Sequence, residues 1–139
     1  MINYHIKFMK LALKEAKKGE INGEVPIGAV IVKNNKIIAR GYNMVEKWKD
    51  PTAHAEMVAI RKATKKLSNW RLNDSILYVT DEPCMMCVGA IYKSRISAVV
   101  YGCENTKSGA LGSVIDLKSI PKLNHKFIVI RGILENECK

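Results

Sequence analysis

Apolar residues along the chain recur at two spacings, one typical of helices and one typical of strands. Residues 4–16 place apolar side chains every three or four positions and gather lysines on another face. This pattern predicts an amphipathic helix that ends at Gly19. The same spacing returns over residues 57–67, and Thr52 is the expected cap of that second helix.

Shorter apolar runs lie between and after these helices, and they predict strands. The runs cover residues 27–32, 37–42, 76–80, 98–101 and 127–130. Asn34 and Asn35 supply a tight turn between the first two runs, so we predict a β-hairpin there. Pro83 suits the first position of a further helix, over residues 84–94. Strands that alternate with helices indicate a layered α/β domain.

The length of 139 residues is close to the commonest domain size, and the chain has no internal repeat or linker-like segment. We therefore expect one domain over residues 1–139. No apolar run approaches the roughly 18 residues of a membrane span, and lysines interrupt the N-terminal segment where a secretory signal would be apolar. These features predict a cytoplasmic protein without a membrane partner, whose four cysteines are metal ligands or free thiols rather than disulfides.

The net charge of +10 is large for this length. A field of this sign attracts polyanions, so it favours a nucleic acid as partner. The alternative is a lysine-rich surface that serves only solubility. Trp48 lies between Lys47 and Lys49, and these three residues are candidates for nucleic-acid contact. The indole either stacks on a base or packs on the protein's own surface.

One constellation of residues carries recognisable chemistry. His54, Cys84 and Cys87 offer three metal ligands, and a catalytic zinc site has three protein ligands with its fourth position left to water. Glu56 lies two positions after His54, where a carboxylate that is not a ligand is suited to move protons. His-Ala-Glu followed by Pro-Cys-Met-Met-Cys is typical of zinc deaminases that act on nucleobases. The sequence thus predicts Zn2+ as cofactor and Glu56 as the catalytic residue.

Two other interpretations of these residues are open at this point. A redox dithiol would use only Cys84 and Cys87. A structural zinc site would leave Glu56 as a helix cap and would need a fourth ligand, for which the candidates are Cys103, Cys138, His5 and His125.

Three segments around these residues resemble the bacterial tRNA adenosine deaminases, members of the cytidine deaminase-like superfamily. They are EVPIGAV at 24–30, DPTAHAE at 50–56 and EPCMMC at 82–87, and the similarity continues at residues 106–113, 123–125 and 132–138. The resemblance implies a three-layer α/β/α fold around a mixed sheet of about five strands. It also implies a homodimer with one Zn2+ per subunit, which converts the wobble adenosine of a tRNA anticodon to inosine.

The resemblance further implies a set of substrate contacts. Asn43 is similar to the family's residue that hydrogen-bonds the base. The other positions expected to contact substrate are Ala55, Asn105, Lys107 and Ser108.

Two departures from the family pattern affect the expected substrate. Asn105 stands where the family often has aspartate, so we hypothesise weaker discrimination between RNA and single-stranded DNA. The family also usually continues beyond this chain's last residues into a basic, aromatic helix, so we expect weaker RNA binding. Deamination of free bases or nucleosides, such as guanine or cytosine, is the alternative activity. A non-catalytic zinc module that binds nucleic acid is the alternative outside enzymes.

Overall fold

The computed structural model describes all 139 residues. The helices are α1 (Ile2–Ile21), α2 (Val45–Trp48), α3 (Ala55–Leu67), α4 (Met85–Lys93) and α5 (Glu135–Cys138). The strands are β1 (Gly28–Lys33), β2 (Lys36–Tyr42), β3 (Ser75–Asp81), β4 (Ala98–Cys103) and β5 (Ile128–Arg131). A 3-10 turn covers Leu117–Ser119. None of the helices combines the length and the apolar character that crossing a membrane requires.

One mixed sheet contains all the strands, in the order β2-β1-β3-β4-β5. β1 runs antiparallel to β2 and β3, whereas β4 runs parallel to both β3 and β5. In the turn from β1 to β2, Asn34 and Asn35 adopt φ values of 52° and 64°, the left-handed backbone that a tight hairpin turn requires. The five-strand mixed sheet and its hairpin confirm the prediction from the apolar runs.

Helices cover both faces of this sheet. Alternate strand residues point to opposite sides, so Ile31 and Leu77 pack with α3 and α4 on one side. Val30 and Tyr78 pack with α1 and α5 on the other side. This arrangement confirms the three-layer α/β/α fold. Because apolar residues are needed on both faces, the strands are continuous apolar runs in the sequence rather than alternating ones.

The end of α1 differs from the prediction. The helix continues past Gly19 and ends at Ile21. A Cβ at Gly19 would lie 3.1 Å from Cδ1 of Tyr42, which is closer than ordinary van der Waals contact. Gly19 therefore allows α1 to approach the end of β2, and it does not end the helix.

Thr52 does not cap α3, which was also a wrong prediction. Its backbone N–H and its hydroxyl both donate to Oδ1 of Asp50, at 2.8 and 2.7 Å. α3 begins only at Ala55, and His54 occupies the capping position. The acceptor two residues upstream holds Thr52 in the turn before the helix.

Three smaller differences concern helix ends and short helices. α4 begins at Met85 with Cys84 in the capping position, so Pro83 precedes the helix instead of opening it. The helices α2 and α5 were not predicted. Each has only four residues, which is too few to show a helical period.

Candidate zinc and substrate site

The three predicted ligands meet at the edge of the sheet where α3 and α4 begin. His54 directly precedes α3 and Cys84 directly precedes α4, and both have an extended backbone conformation. Neither side chain caps its helix, so both are available to a metal. Cys87 lies in the first turn of α4 and is buried. The sequence separates His54 from the cysteines by about two structural elements, and the fold brings them together.

The separations between the ligand atoms fit zinc. Nδ1 of His54 lies 3.6 Å from Sγ of Cys84 and 3.6 Å from Sγ of Cys87, and all three ligand atoms are within 4.8 Å of one another. Zinc bonds of about 2.3 Å to sulfur and about 2.0 Å to nitrogen, at a tetrahedral angle, place the two ligand atoms about 3.6 Å apart. One nitrogen and two sulfur donors are also the donor types that zinc prefers.

The cluster has no fourth protein ligand. Of the candidates, Cys103 hydrogen-bonds Asp81 and the backbone of Thr80 and Cys138, and the thiol of Cys138 contacts the carbonyl of Ile133. The two remaining histidines are engaged elsewhere, His5 with Tyr78 and His125 with the carbonyl of Ile96. The metal group consists of three residues, which is the pattern of a catalytic rather than a structural zinc site.

The two thiols differ in acidity. A hydrogen bond with Cys87, followed by the contact with His54, lowers the pKa of Cys84 to about 3 despite burial. The hydrogen bond with Cys84, reinforced by burial, raises the pKa of Cys87 far above its ordinary value. The pair thus holds one thiolate without a metal. A metal that binds both sulfurs displaces the remaining thiol proton.

Glu56 is buried beside the cluster, in the first turn of α3, and is only 4% exposed. Burial removes water from the carboxylate and raises the pKa of Glu56 to about 7. A carboxyl group with this pKa can both accept and return a proton near neutral pH. Glu56 thus lies at a helix N-terminus, next to three metal donors, which is a suitable position for a group that transfers protons. The capping position of α3 is occupied by His54 and not by Glu56.

Two cavities open onto the ligand cluster. The smaller, of about 220 Å³, is lined by Val25, Ile27, Asn43, His54, Ala55, Asn105 and Ser108. The larger, of about 400 Å³, is lined by Pro51, His54, Cys84, Met85, Met86, Lys107, Ser108, Val114 and Ile115. His54 and Ser108 line both, so the two cavities adjoin. All five residues expected to contact substrate lie in one cavity or the other.

Asn43 is presented to the smaller cavity by the turn that follows β2. It is 8% exposed, and its Oδ1 accepts the backbone N–H of Val45 at 3.2 Å. Its N–H donates to the carbonyl of Ile27. The side-chain oxygen is thus engaged by the backbone, while the side-chain NH2 group donates to no protein acceptor and is available as a donor in the cavity that Asn43 lines.

The segment with Lys47, Trp48 and Lys49 lies apart from both cavities. It forms α2 and the residue after it, and all three side chains are exposed, Trp48 by 45%. The buried carboxylate of Glu24 holds this segment by accepting the N–H groups of Glu46 and Lys47, at 3.0 and 2.8 Å. The segment is an exposed surface that lines neither cavity, and its contact with nucleic acid stays a prediction.

Sequence reasoning missed Glu82, which organises the loop on the far side of the cavities. Glu82 is 2% exposed, and it accepts the N–H groups of Asn105, Leu111 and Ser113 at 3.2, 2.8 and 3.2 Å, together with the hydroxyl of Ser113. Burial raises the pKa of Glu82, but these hydrogen bonds outweigh that effect and leave it lowered. An acidic residue directly before Pro-Cys was the one available signal.

Asn105 has a structural role that the sequence did not indicate. Its Nδ2 donates to Oδ2 of Asp81 at 3.1 Å. Its Oδ1 accepts the N–H groups of Lys107 and Ser108, both at 3.1 Å. The amide thus fixes the conformation of the loop that carries Lys107 and Ser108, two of the residues predicted to contact substrate.

The layered fold and the His-Cys-Cys cluster together are those of the zinc-binding deaminases, and this is the class of protein to which the chain belongs. The family model of the cytidine and deoxycytidylate deaminase zinc-binding region matches residues 2–103. A tRNA-specific adenosine deaminase of Bacillus subtilis is 50% identical over 131 residues, which cover 94% of this chain and 81% of that protein. The corresponding protein of Haemophilus influenzae is 47% identical and covers 95% of this chain and 77% of its own length.

A solved structure of one of the tRNA:A34 deaminases, which carry out A-to-I editing at the wobble position of transfer RNA, superposes with a TM-score of 0.92. It is 43% identical and covers 95% of this chain and 96% of its own. A guanine deaminase of Bacillus subtilis superposes with a TM-score of 0.70 at 52% identity, over 72% of this chain and 64% of that one. The chain belongs to the zinc-binding deaminase family and, within it, to the tRNA-specific adenosine deaminases.

Proposed function

We propose that this protein hydrolyses adenosine to inosine at the wobble position of a tRNA anticodon. The observation that carries the proposal is the buried Glu56 beside three metal donors, of which His54 lines both adjoining cavities and Cys84 lines the larger one. The relatives named for tRNA adenosine deamination match nearly the whole chain. The net charge of +10 suits a polyanionic substrate. Unstacked loop bases are also the easiest to place in a cavity.

In this proposal His54, Cys84 and Cys87 hold Zn2+. Zinc, when bound, supplies a Lewis acid that makes water reactive near neutral pH. Glu56 accepts a proton from the attacking water and delivers it to the purine ring nitrogen beside the amino-bearing carbon. It then carries the remaining proton of that water, now on the hydroxyl attached to the ring carbon, to the amino group; the C–N bond breaks, ammonia leaves and the ring carbon keeps the oxygen as a carbonyl. The raised pKa of Glu56 suits both transfers.

The remaining cavity residues hold the nucleotide. Asn43 donates its amide N–H to the base, and the small side chain of Ala55 leaves room for the ring. The loop with Asn105, Lys107 and Ser108 faces the sugar and phosphate, where a lysine and backbone N–H groups favour an anion. Lys47, Trp48 and Lys49 contact the flanking nucleotides. Because position 105 holds no carboxylate, single-stranded DNA is proposed as a second, weaker substrate.

Three further properties complete the proposal. Residues 1–139 form a single deaminase domain, two copies form a homodimer with one Zn2+ each, and the protein acts in the cytoplasm on a tRNA there. Sedimentation velocity of the zinc-loaded protein over a range of concentrations tests the dimer, because a monomer at every concentration contradicts it.

The activity is tested with an anticodon stem-loop RNA that carries a single target adenosine. The zinc-loaded protein is expected to convert that adenosine to inosine, which reverse transcription reports as guanosine. Glu56→Gln keeps the size of the side chain and is expected to retain zinc while turnover falls at least a hundredfold. A binding module without catalysis would instead bind the RNA equally well in both forms and would convert none.

Guanine is the competing substrate, because a guanine deaminase shares 52% identity over the part of the chain it covers. Ammonia release from free guanine, cytosine and adenosine is measured beside the RNA reaction, at low and high salt. An RNA editor prefers the stem-loop and loses that preference as salt rises. A rate on free guanine above that on the RNA contradicts the proposal.

A further inference from the structure

Aromatic and basic side chains cluster on the surface where α3 and α4 end. Trp70, Arg71, Tyr92 and Arg95 form what we name the arginine–tryptophan patch. The guanidinium carbons of Arg71 and Arg95 lie 4.2 and 5.8 Å from the centre of the Trp70 ring. Arg95 also lies 5.4 Å from the centre of the Tyr92 ring. Trp70 is 49% exposed, so its ring lies at the surface, where it contacts the two guanidinium groups, and is not part of the core.

The patch rests on a fixed backbone. The N–H of Leu72 donates to the carbonyl of Ser94 at 2.7 Å, which joins the loop after α3 to the end of α4. Nη1 of Arg95 donates to the carbonyl of Tyr92 at 3.0 Å, and the hydroxyl of Tyr92 accepts the N–H of Asn124 at 3.1 Å. Guanidinium groups that are held against rings in this way keep most of their N–H donors free and already oriented.

The charge of this region has no internal compensation. Residues 57–73 and 83–103 contain no aspartate or glutamate. The ion pairs of the structure join Lys17 with Glu20, Lys18 with Glu15, and Arg61 with Asp50, so no carboxylate forms an ion pair with the patch. The exposed Asp74, three positions after Arg71, is the nearest acidic residue along the chain. The neighbouring side chains of Lys62, Lys66 and Lys93 are exposed. Oriented guanidinium groups in a positive field are suited to phosphate.

The patch lies at a definite distance from the metal donors. α3 and α4 both begin at the donors and end at the patch, and their 13 and 9 residues correspond to about 20 and 14 Å. B-form DNA advances about 3.4 Å per base pair along each strand, and the A-form helix of RNA advances less. An RNA stem of about five to seven base pairs, next to a nucleotide in the cavity, therefore has the length needed to reach the patch.

We propose that the arginine–tryptophan patch binds the phosphate backbone of the RNA stem adjacent to the nucleotide being deaminated. This inference rests on the proposed RNA-editing function. It assigns a second, remote contact that selects structured RNA over a short single strand. A second copy of the chain is a poorer occupant, because a two-fold interface would place this positive surface against itself.

The test compares two RNAs, a stem-loop with about six base pairs and the same loop without a stem. The double variant Arg71→Gln/Lys93→Gln, named the patch variant, removes one guanidinium of the patch and the charge of the neighbouring Lys93, and both side chains are exposed and make no ion pair. Lys10→Gln/Lys14→Gln is the matched control, because these exposed lysines lie on α1, on the other side of the sheet. Binding is measured by fluorescence anisotropy over a salt series, and KM and kcat are measured on both RNAs.

The patch variant is expected to bind the stem-loop about tenfold more weakly, with a salt dependence reduced by about one to two released ions. KM on the stem-loop should rise with kcat unchanged, and the loop without a stem should be unaffected. Equal losses in the patch variant and the control overturn the inference, and so does a change in sedimentation without a change in RNA binding. Because anisotropy does not depend on turnover, the two failures are distinguishable: binding without deamination in the wild type would refute the proposed function, whereas deamination with binding that does not depend on the stem would overturn only this inference.

Discussion

The side-chain amide of Asn105 donates to Oδ2 of Asp81 at 3.1 Å, while its oxygen accepts the N–H groups of Lys107 and Ser108. Asp81 is itself partly buried, and burial raises its pKa. An amide at position 105 is therefore the partner that a neighbouring carboxylate needs. The residue links the end of β3 to the loop that lines the two cavities.

We predict that Asn105→Asp destabilises this loop by about 1–2 kcal/mol at pH 7, because it replaces a hydrogen bond with two adjacent carboxylates. Like-charge contact raises the carboxyl pKa values in the folded state, so the folded variant binds more protons than its unfolded chain. Its stability relative to wild type should consequently recover as the pH falls from 7 toward 4. Thermal unfolding at several pH values measures this effect, and a pH-independent difference contradicts it.

The same variant tests substrate choice. We expect Asn105→Asp to raise the ratio of RNA to single-stranded DNA deamination. A carboxylate at the cavity wall repels the phosphate backbone, and this repulsion reduces the DNA reaction more because other contacts do not hold the DNA backbone in place. Asn105→Ala is the control, since it removes the amide without adding a charge. If both variants leave the ratio at the wild-type value, position 105 does not discriminate between the two polymers.

Glu82 gives a prediction about the loop as a whole. Glu82→Gln would turn an NH2 group toward N–H donors and leave some of them unpaired. We expect a loss of about 2–4 kcal/mol in stability and a lower kcat/KM, because Lys107 and Ser108 lose their position. Glu104→Gln is the matched control, since this exposed carboxylate at the start of the loop has no ion-pair partner. Hydrogen exchange of residues 105–113 should accelerate only in the Glu82 variant.

Removal of the metal should weaken the contact between α3 and α4, because the ligands lie on both helices. We predict that a chelator abolishes deamination and lowers the stability by about 4 kcal/mol, the value for free zinc at roughly a thousand times its Kd. Cys84→Ser should contain little zinc and should respond weakly to the chelator. Cys138→Ser, at a cysteine outside the cluster, should keep about one zinc per chain. Full zinc content in Cys84→Ser contradicts the assignment.

The parts of the molecule that were predictable depend on local pattern. The apolar runs of the strands lie within a residue or two of β1 to β5, because burial on both faces leaves little choice of residue. The grouping of His54, Cys84 and Cys87 was predictable because metal chemistry restricts residue type and spacing, whereas the catalytic role of Glu56 stays a prediction. Helix ends were less predictable, since Gly19 and Thr52 each have a tertiary or turn contact that outweighs their usual preference.

The contacts that could not be predicted from the sequence are those between segments far apart along the chain. Glu82 and Asn105 are 23 positions apart. Neither residue type by itself indicates that Glu82 anchors the loop that contains Asn105. The patch around Trp70 likewise requires the loop after α3 to meet the end of α4, through the bond between Leu72 and Ser94. Such relationships follow from the topology of the sheet and the packing of its helices, and they are not encoded in any short motif.

A buried pair on the other side of the sheet makes the stability depend on pH. His5 is 6% exposed, its Nδ1 lies 2.8 Å from the hydroxyl of Tyr78, and its Nε2 has no partner. Burial, assisted by the positive N-terminus, lowers the pKa of His5. The folded protein therefore keeps His5 neutral at pH values where the unfolded chain is protonated. Since the unfolded chain then binds more protons, stability is lost as the pH falls through about 6.5 and levels off below the folded-state pKa.

We predict that His5→Phe removes this part of the pH dependence, because phenylalanine keeps a ring beside Phe8 and Tyr78 but cannot be protonated. Tyr78→Phe is the matched control, since it removes the hydrogen bond and leaves a titrating histidine in a buried position. The measurement is the free energy of unfolding by urea from pH 7.5 to 5, with zinc held in excess. Wild type and Tyr78→Phe should lose stability together as the pH falls, and His5→Phe should lose less. Equal slopes in all three proteins would assign the pH dependence to other groups.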